Sequence, residues 1–167
     1  EAAKGVAVSL LKDAYINRDK VAFIAFRGSG AELILPPTSN LDTTVTLLRR
    51  LPTGGKTPLS SALLQTLELI KKEKLSKREL KPLVVIVTDG QANVPLDPRK
   101  GVKAELEILS EKLRMLGAST LIIDTRVNHW RPSYIETLVK HAQARHVKLP
   151  DMDPEKIHTI IKSSLAR

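Results

Sequence analysis

The chain has no cysteine in its 167 residues, which removes a disulfide framework, a thiolate zinc site and a cysteine nucleophile together. That leaves the compartment open, with a lean toward an intracellular one. Aromatic residues make up only 3%, one Trp, two Tyr and two Phe, so there is no platform on which single-stranded nucleic acid could stack its bases. Long apolar runs are missing as well: a stretch such as Leu83–Val87 is far too short to span a bilayer. Neither a signal-peptide pattern nor an initiator Met opens the chain. Its first residues, Glu1-Ala2-Ala3-Lys4-Gly5, already read as helix, so a segment of a longer protein is expected. Ser-His-Asp order, paired-carboxylate spacing and a dinucleotide fingerprint are all absent.

What is present is the composition of a globular domain. Hydrophobic residues are 42% and charged residues 27% of the chain, and this length suits one domain able to bury well over half of its unfolded surface. Lys and Arg number 27 against 18 Asp and Glu, a net of +9. The basic residues read as scattered along helices rather than grouped in one block. Together with the shortage of aromatics, this favours a solvated basic face or an acidic protein partner over nucleic acid.

Helical and strand patterns alternate. Glu1–Asn17 is helical, with Val6, Leu10 and Ala14 on one stripe and Leu11 and Tyr15 beside it. Lys20–Phe26 and Ala31–Leu35 read as a hairpin joined by Arg27-Gly28-Ser29-Gly30, its second strand an antiparallel edge strand ended by Pro36-Pro37. A short helix is expected from Thr43 to Arg50. Pro58–Lys74 is the strongest helix, with Leu59, Leu63, Leu67 and Ile70 as its stripe and Thr57 as the natural N-cap. Leu83–Val87 shows no polar alternation, which predicts a strand buried on both faces. Val102, Leu106, Leu109, Leu113 and Leu116 predict a helix stopped by Gly117. Ser119–Asp124 is a second buried strand. Ser133 and Glu136 form a capping box for a helix to about Ala144, a weak strand spans Arg145–Leu149, and Asp153-Pro154 caps a last helix. The expected fold is therefore α/β: a doubly wound, mostly parallel sheet with one antiparallel edge strand and helices on both faces. Ligands of such sheets bind at the carboxyl ends of the strands.

Two loops at that end carry candidate chemistry. Asp89, in Thr88-Asp89-Gly90, ends the most buried strand, where its carboxylate is either a ligand for Mg²⁺ or a turn-forming Asp-Gly. Gly54-Gly55-Lys56-Thr57-Pro58 ends like a phosphate-binding loop, but Arg50 stands where the motif's first Gly belongs and no strand leads in. Thr57 is thus either a plain N-cap or a hydroxyl ligand to a hard cation. His141 and His146 read as surface or core histidines, His129 has no neighbour that makes it a base, and Asp124 is a strand-end cap or a supporting group.

An Asp-Gly ending a central strand, with a Gly-Gly-x-Thr loop before the preceding helix, resembles the von Willebrand factor A (integrin I-like) domain. More specific stretches are Asn17-Arg18-Asp19-Lys20-Val21 into Phe26-Arg27-Gly28, Leu35-Pro36-Pro37-Thr38, Arg50-Leu51-Pro52-Thr53-Gly54-Gly55-Lys56-Thr57-Pro58-Leu59 and Thr88-Asp89-Gly90-Gln91-Ala92-Asn93-Val94-Pro95-Leu96. With Asp124-Thr125 and Leu149-Pro150 they are similar, along almost the whole chain, to the C-terminal domain of the magnesium chelatase D subunit.

That resemblance implies a single von Willebrand factor A-like domain over residues 1–167 and a metal-ion-dependent adhesion site with Thr57 and Asp89 as ligands to Mg²⁺, or Mn²⁺. It assigns no catalytic residue and no organic cofactor. It implies an assembly module of the complex that inserts Mg²⁺ into protoporphyrin IX for chlorophyll and bacteriochlorophyll synthesis, driven by ATP. The partners would be the AAA+ I subunit and the porphyrin-binding H subunit, in the bacterial cytoplasm or the plastid stroma, with no nucleic acid and no membrane span. A cobalt chelatase, another chelatase-like AAA+ protein and, in a different class, a Mg²⁺-dependent phosphohydrolase using Asp89 and Asp124 are the alternatives. Gln91 stands where many chelatase members have Arg, which bears on a partner contact. The family's Asp-x-Ser-x-Ser loop, which follows its first, central strand, is absent. The resemblance therefore implies an N-terminally truncated domain lacking the strand between Lys20–Phe26 and Leu83–Val87, binding Mg²⁺ weakly and less stable than a chain extended upstream.

Overall fold

The computed structural model describes residues 2–40, 42, 45–46, 50, 56–128, 130, 132–148 and 154–164. In chain order the elements are α1 (Ala2–Asn17), β1 (Val21–Arg27), β2 (Gly30–Thr38), α2 (Leu59–Ser76), β3 (Leu83–Thr88), α3 (Val102–Met115), β4 (Ser119–Asp124), α4 (Ile135–Ala142), β5 (Arg145–Lys148) and α5 (Pro154–Ser164). The short helix expected over Thr43–Arg50 falls largely outside the described residues.

β3, β4 and β5 pair in parallel in that order, with Leu83 opposite Ser119 and Leu121 opposite Arg145. Parallel strands require crossovers, and α3 and α4 supply them. Side chains of successive strand residues take opposite faces, and the sequence uses both. Ile86 and Ile122 join Leu59, Leu63, Leu67, Ile70, Leu106, Leu109, Leu113, Ile135 and Leu138 in one core, formed with α2, α3 and α4. Leu121 and Ile123 face the other way, toward Leu10 of α1 and Ile160 of α5. Helices therefore cover both faces, as the periodicity predicts. Val102 packs against the first core, and Gly117, at φ +78°, ends the α3 segment as expected.

Burial separates β4 from β3. Every β4 residue after Ser119 is buried, whereas in β3 only Ile86 and Thr88 are. The uninterrupted apolar run predicted full burial of β3. It is only partial because, among the described residues, β3 has a ladder partner on one edge alone.

β1 and β2 form a separate antiparallel pair. Arg27 pairs with Gly30, so the turn itself is Gly28-Ser29, with Gly28 at φ +63°. Pro36-Pro37 does not end β2: the strand runs through both prolines, and Val21 still pairs with Thr38. Register shifts between Val21 and Ile24 absorb the prolines, which cannot donate to a ladder but are accommodated at a bulge on an edge strand. No ladder joins this pair to the three-stranded sheet among the described residues. α1 packs toward both units, Leu10 against the three-stranded sheet and Leu11 against Val21 and Phe23 of the hairpin. Tyr15, expected beside the α1 stripe, is exposed, and Asp13 is buried instead.

These placements give a direct contrast. Ile122, fully buried in β4, should cost about 2–5 kcal/mol on truncation to Ala, whereas Leu75→Ala, at an 89% exposed position, should change stability by less than about 0.5 kcal/mol. Urea unfolding of the two variants measures both.

Candidate metal and docking site at the carboxyl end of the sheet

Thr57 and Asp89 come from different loops, and Asn93 joins those loops. The Asn93 Oδ1 accepts the Thr57 N–H at 3.0 Å, and the Asn93 N–H donates to the Thr57 carbonyl at 3.3 Å. A pair of reciprocal bonds fixes orientation as well as distance, so the chain entering α2 is clasped to the chain leaving β3.

Thr57 is not the N-cap expected of it. α2 is capped by Pro58, with no side-chain cap bond. A Pro at that boundary has no N–H to satisfy, and the Thr57 N–H goes to Asn93 instead. Among the described residues the Thr57 hydroxyl makes no protein hydrogen bond.

Asp89 is exposed, and its Oδ1 accepts the Gln91 N–H at 3.0 Å in a local turn. Gly90 lets the chain turn there. It sits at φ +76°, and a Cβ would lie 2.6 Å from the Ser133 Cβ and 2.8 Å from Cγ1 of Ile135. No side chain fits that space, and glycine alone takes such a φ without strain. The Gly90 carbonyl accepts the Tyr134 N–H at 2.8 Å, and the Thr88 carbonyl accepts the Thr125 N–H at 3.0 Å. The Asp89 loop is thereby seated on the loop after β4 and on the start of α4. Its far end is held by the buried Glu105, whose carboxylate accepts the N–H groups of Leu96 at 2.8 Å and Asp97 at 2.7 Å.

Below this surface lies an ionic cluster. Asp124, 0% exposed at the end of β4, accepts both the backbone N–H of Arg126 at 2.9 Å and its guanidinium, with Nη2 at 2.6 Å from Oδ2. His146 of β5 places Nε2 2.9 Å from the same Oδ2. The Arg126 Nη2 also reaches Glu136 at 3.4 Å, and Glu136 accepts the Ser133 hydroxyl at 3.1 Å. Burial alone pushes the Asp124 carboxyl up, but the hydrogen bonds from Arg126 and His146 outweigh it and hold the group well below the usual carboxylate range. The hydrogen bond to Asp124 raises Arg126 in turn, against its own desolvation. The expected capping box is altered by the same contacts: Tyr134, its N–H taken by Gly90, becomes the N-cap of α4, and the Ser133 hydroxyl accepts the Ile135 N–H at 3.2 Å.

The oxygen chemistry of Thr57 and Asp89 suits a hard cation such as Mg²⁺, and the clasp joins their loops. They do not complete a site, since Mg²⁺ takes six oxygens, several of them water. No group of three or more His, Asp or Glu among the described residues could hold a metal. Asp124 does not add a second carboxylate, because both its oxygens are engaged by Arg126. His141 lies elsewhere, on Glu111 at 3.0 Å, and His129 is outside the described residues. Sequence reasoning passed over Asn93, Glu105 and Arg126. Only Arg126 left a signal, an Arg two residues after a strand-ending Asp.

The pH dependence of this cluster follows from the depressed Asp124 carboxyl. Its stabilising effect is complete above about pH 4, near the unfolded value, and is withdrawn as pH falls below that. Asp124→Asn should cost about 3–5 kcal/mol at pH 7, since it strands a buried guanidinium. The gap between wild type and variant should narrow as pH drops below about 4, as read from urea midpoints. A gap that stays constant down to acid unfolding contradicts the assignment.

A family model described as von Willebrand factor type A domain matches residues 1–91. A magnesium-chelatase 67 kDa subunit of Chlorobaculum parvum is 34% identical over 93% of this chain, which spans 26% of that protein; the chain thus covers about a quarter of the length of such a relative. An uncharacterized protein of Methanocaldococcus jannaschii, MJ0910, is 35% identical over 98% of the chain and 93% of its own length. Among solved structures, the SpRpn10 VWA domain superposes with a TM-score of 0.68, covering 98% of this chain and 82% of that one at 12% identity, a likeness of fold alone. The chain belongs to the von Willebrand factor type A domain family and is homologous, along nearly its whole length, to a segment of the magnesium-chelatase subunits.

Proposed function

We propose that the chain is a metal-dependent adhesion module of an ATP-driven magnesium chelatase, docking to the AAA+ I subunit or the porphyrin-binding H subunit. The observation that carries this reading is the relationship to chelatase subunits over 93% of the chain, and the geometry at the carboxyl end of the sheet supports it. Thr57 and Asp89 are the residues that would hold the ion, with the remaining oxygens coming from outside the described residues. When bound, Mg²⁺ supplies an open coordination position for a carboxylate of the partner. The chain's own work is positional: Asn93 keeps the Thr57 loop against the Asp89 loop, and Gly90 keeps the latter on α4.

In this reading the metal is structural for adhesion and is distinct from the Mg²⁺ delivered to the porphyrin. A net charge of +9 adds long-range attraction toward an acidic partner, so association weakens as salt rises. The same module in a cobalt chelatase or another chelatase-like AAA+ protein would use the same residues, because the adhesion face never touches the tetrapyrrole. The Methanocaldococcus jannaschii relative is spanned almost end to end, so the same domain also occurs in a chain of about its own length. A phosphohydrolase is disfavoured by the engagement of Asp124 with Arg126 and His146.

The test is association of the chain with purified I and H subunits, followed by interferometry in Mg²⁺ and in EDTA. Asp89→Ala and Thr57→Ala should weaken binding about tenfold or more, EDTA should do the same to wild type, and no protein should turn over phosphate esters. Association untouched by both Asp89→Ala and EDTA would rule out metal-dependent docking. A phosphatase activity abolished by Asp89→Ala would instead revive the enzyme reading.

A further inference from the structure

The basic residues are not scattered, as the sequence suggested. Residues 71–81 hold six Lys or Arg against two Glu, a net of +4 out of the chain's +9. This stretch is the last turns of α2 and the loop into β3. It meets the end of α3, which adds Lys112 and Arg114: the Lys74 Nζ donates to the Leu116 carbonyl, and the Ser119 N–H donates to the Pro82 carbonyl at 3.0 Å. Both segments therefore lie at the amino end of β3 and β4. The Thr57–Asn93 clasp lies at the opposite end of the 18-residue α2, about 27 Å away at 1.5 Å per residue.

Cations at helix carboxyl termini have a plain structural use in offsetting the helix dipole. Lys74 serves that role on α3. Lys77, Arg78 and Lys81 follow the end of α2, are exposed, and form no ion pair among the described residues. Lys71, Lys72, Lys112 and Arg114 are likewise exposed and unpaired among those residues. Glu111, the nearest acid to Lys112 in sequence, is bonded to His141. Two large apolar side chains at these same helix ends are also exposed, Leu75 in the last turn of α2 at 89% and Met115, the last residue of α3, at 79%.

We propose that this face is a second docking surface, for an acidic protein segment that carries aliphatic side chains. Uncompensated cations attract and steer such a segment, while Leu75 and Met115 offer the dehydrated contact that gives affinity beyond charge. The segment 71–82 and residues 112–118 contain no aromatic residue for stacking on bases, and Glu73 and Glu79 interrupt the positive field a phosphate backbone prefers. The surface is independent of the metal-dependent reading. With both ends usable, the module can join two partners at once.

Fluorescence anisotropy of the whole chain decides the matter with four probes: a 15-residue Glu-Glu-Leu repeat peptide, a 15-residue poly-Glu, a 20-nucleotide single-stranded DNA, and vesicles containing phosphatidylserine. The Glu-Glu-Leu peptide should bind about tenfold tighter than the other three. The triple change Lys77→Glu, Arg78→Glu, Lys81→Glu should weaken it about tenfold, Leu75→Ser with Met115→Ser should reduce it to the poly-Glu level, and Asp89→Ala should leave it unchanged. The side chains changed are all exposed, and unaltered thermal unfolding checks the fold. Equal or tighter binding of DNA or vesicles overturns the proposal in favour of another class of partner. Binding insensitive to the charge reversal, or equal for poly-Glu and Glu-Glu-Leu, overturns it as diffuse electrostatics.

Discussion

A carboxylate with no exposure to solvent cannot stay ionised without partners, and Asp124 is such a carboxylate at the end of the most buried strand. The chain answers with Arg126 two residues later and with His146 across the sheet. Satisfying this one charge fixes the direction in which the chain leaves β4, sets β5 beside it, and brings Glu136 and Ser133 to the start of α4. The start of α4 then carries Gly90, and Gly90 carries the Asp89 loop. The exposed residues proposed to meet a metal are therefore positioned through the ionic cluster around the buried Asp124.

The same logic separates the two ends of the sheet. At the carboxyl end, the loops are tied by backbone hydrogen bonds and by Asn93 and Glu105, which suits a face where oxygen atoms must hold a fixed geometry. At the amino end, long Lys and Arg side chains have no ion-pair partners among the described residues, which suits contact with a charged segment that need not be held rigidly. The sheet is the strut between them. Its described ladders fall into a pair and a triplet, so the β1 edge and the β3 edge facing away from their partners offer the backbone donors and acceptors that a further strand would take up.

Much of this was legible from spacing. The α2 and α3 stripes, the limits of β4 and the stop at Gly117 follow from periodicities of 3.6 and 2 and from glycine's conformational freedom, all local properties. Where the reading failed, a partner distant in sequence decided the outcome. β2 continues through Pro36-Pro37 because a register shift on the opposing strand accommodates them. Thr57 stands one residue outside the Pro58 boundary of α2, its backbone clasped by Asn93, 36 residues on. The Ser133 box is shifted because Gly90 takes the Tyr134 N–H. β3 is half-buried because burial depends on which strands flank it, and a run of valines does not reveal that. The basic face was invisible for the same reason: residues 71–81 and 112–114 come together only when α2 and α3 end side by side. Of the candidate site, Thr57 and Asp89 were readable from motif resemblance, while the clasp that joins their loops left no mark in the sequence.

The central claim is that Thr57 and Asp89 belong to one oxygen site, and paramagnetic broadening by Mn²⁺ tests it most directly. Titrating Mn²⁺ into the ¹⁵N-labelled chain should bleach amide signals around Thr57 and from Asp89 to Asn93 first, and Asp89→Ala should abolish that pattern. Bleaching that centres elsewhere, on Glu105 and Asp97 or on Glu107 and Glu111, or that persists unchanged in Asp89→Ala, would contradict the account.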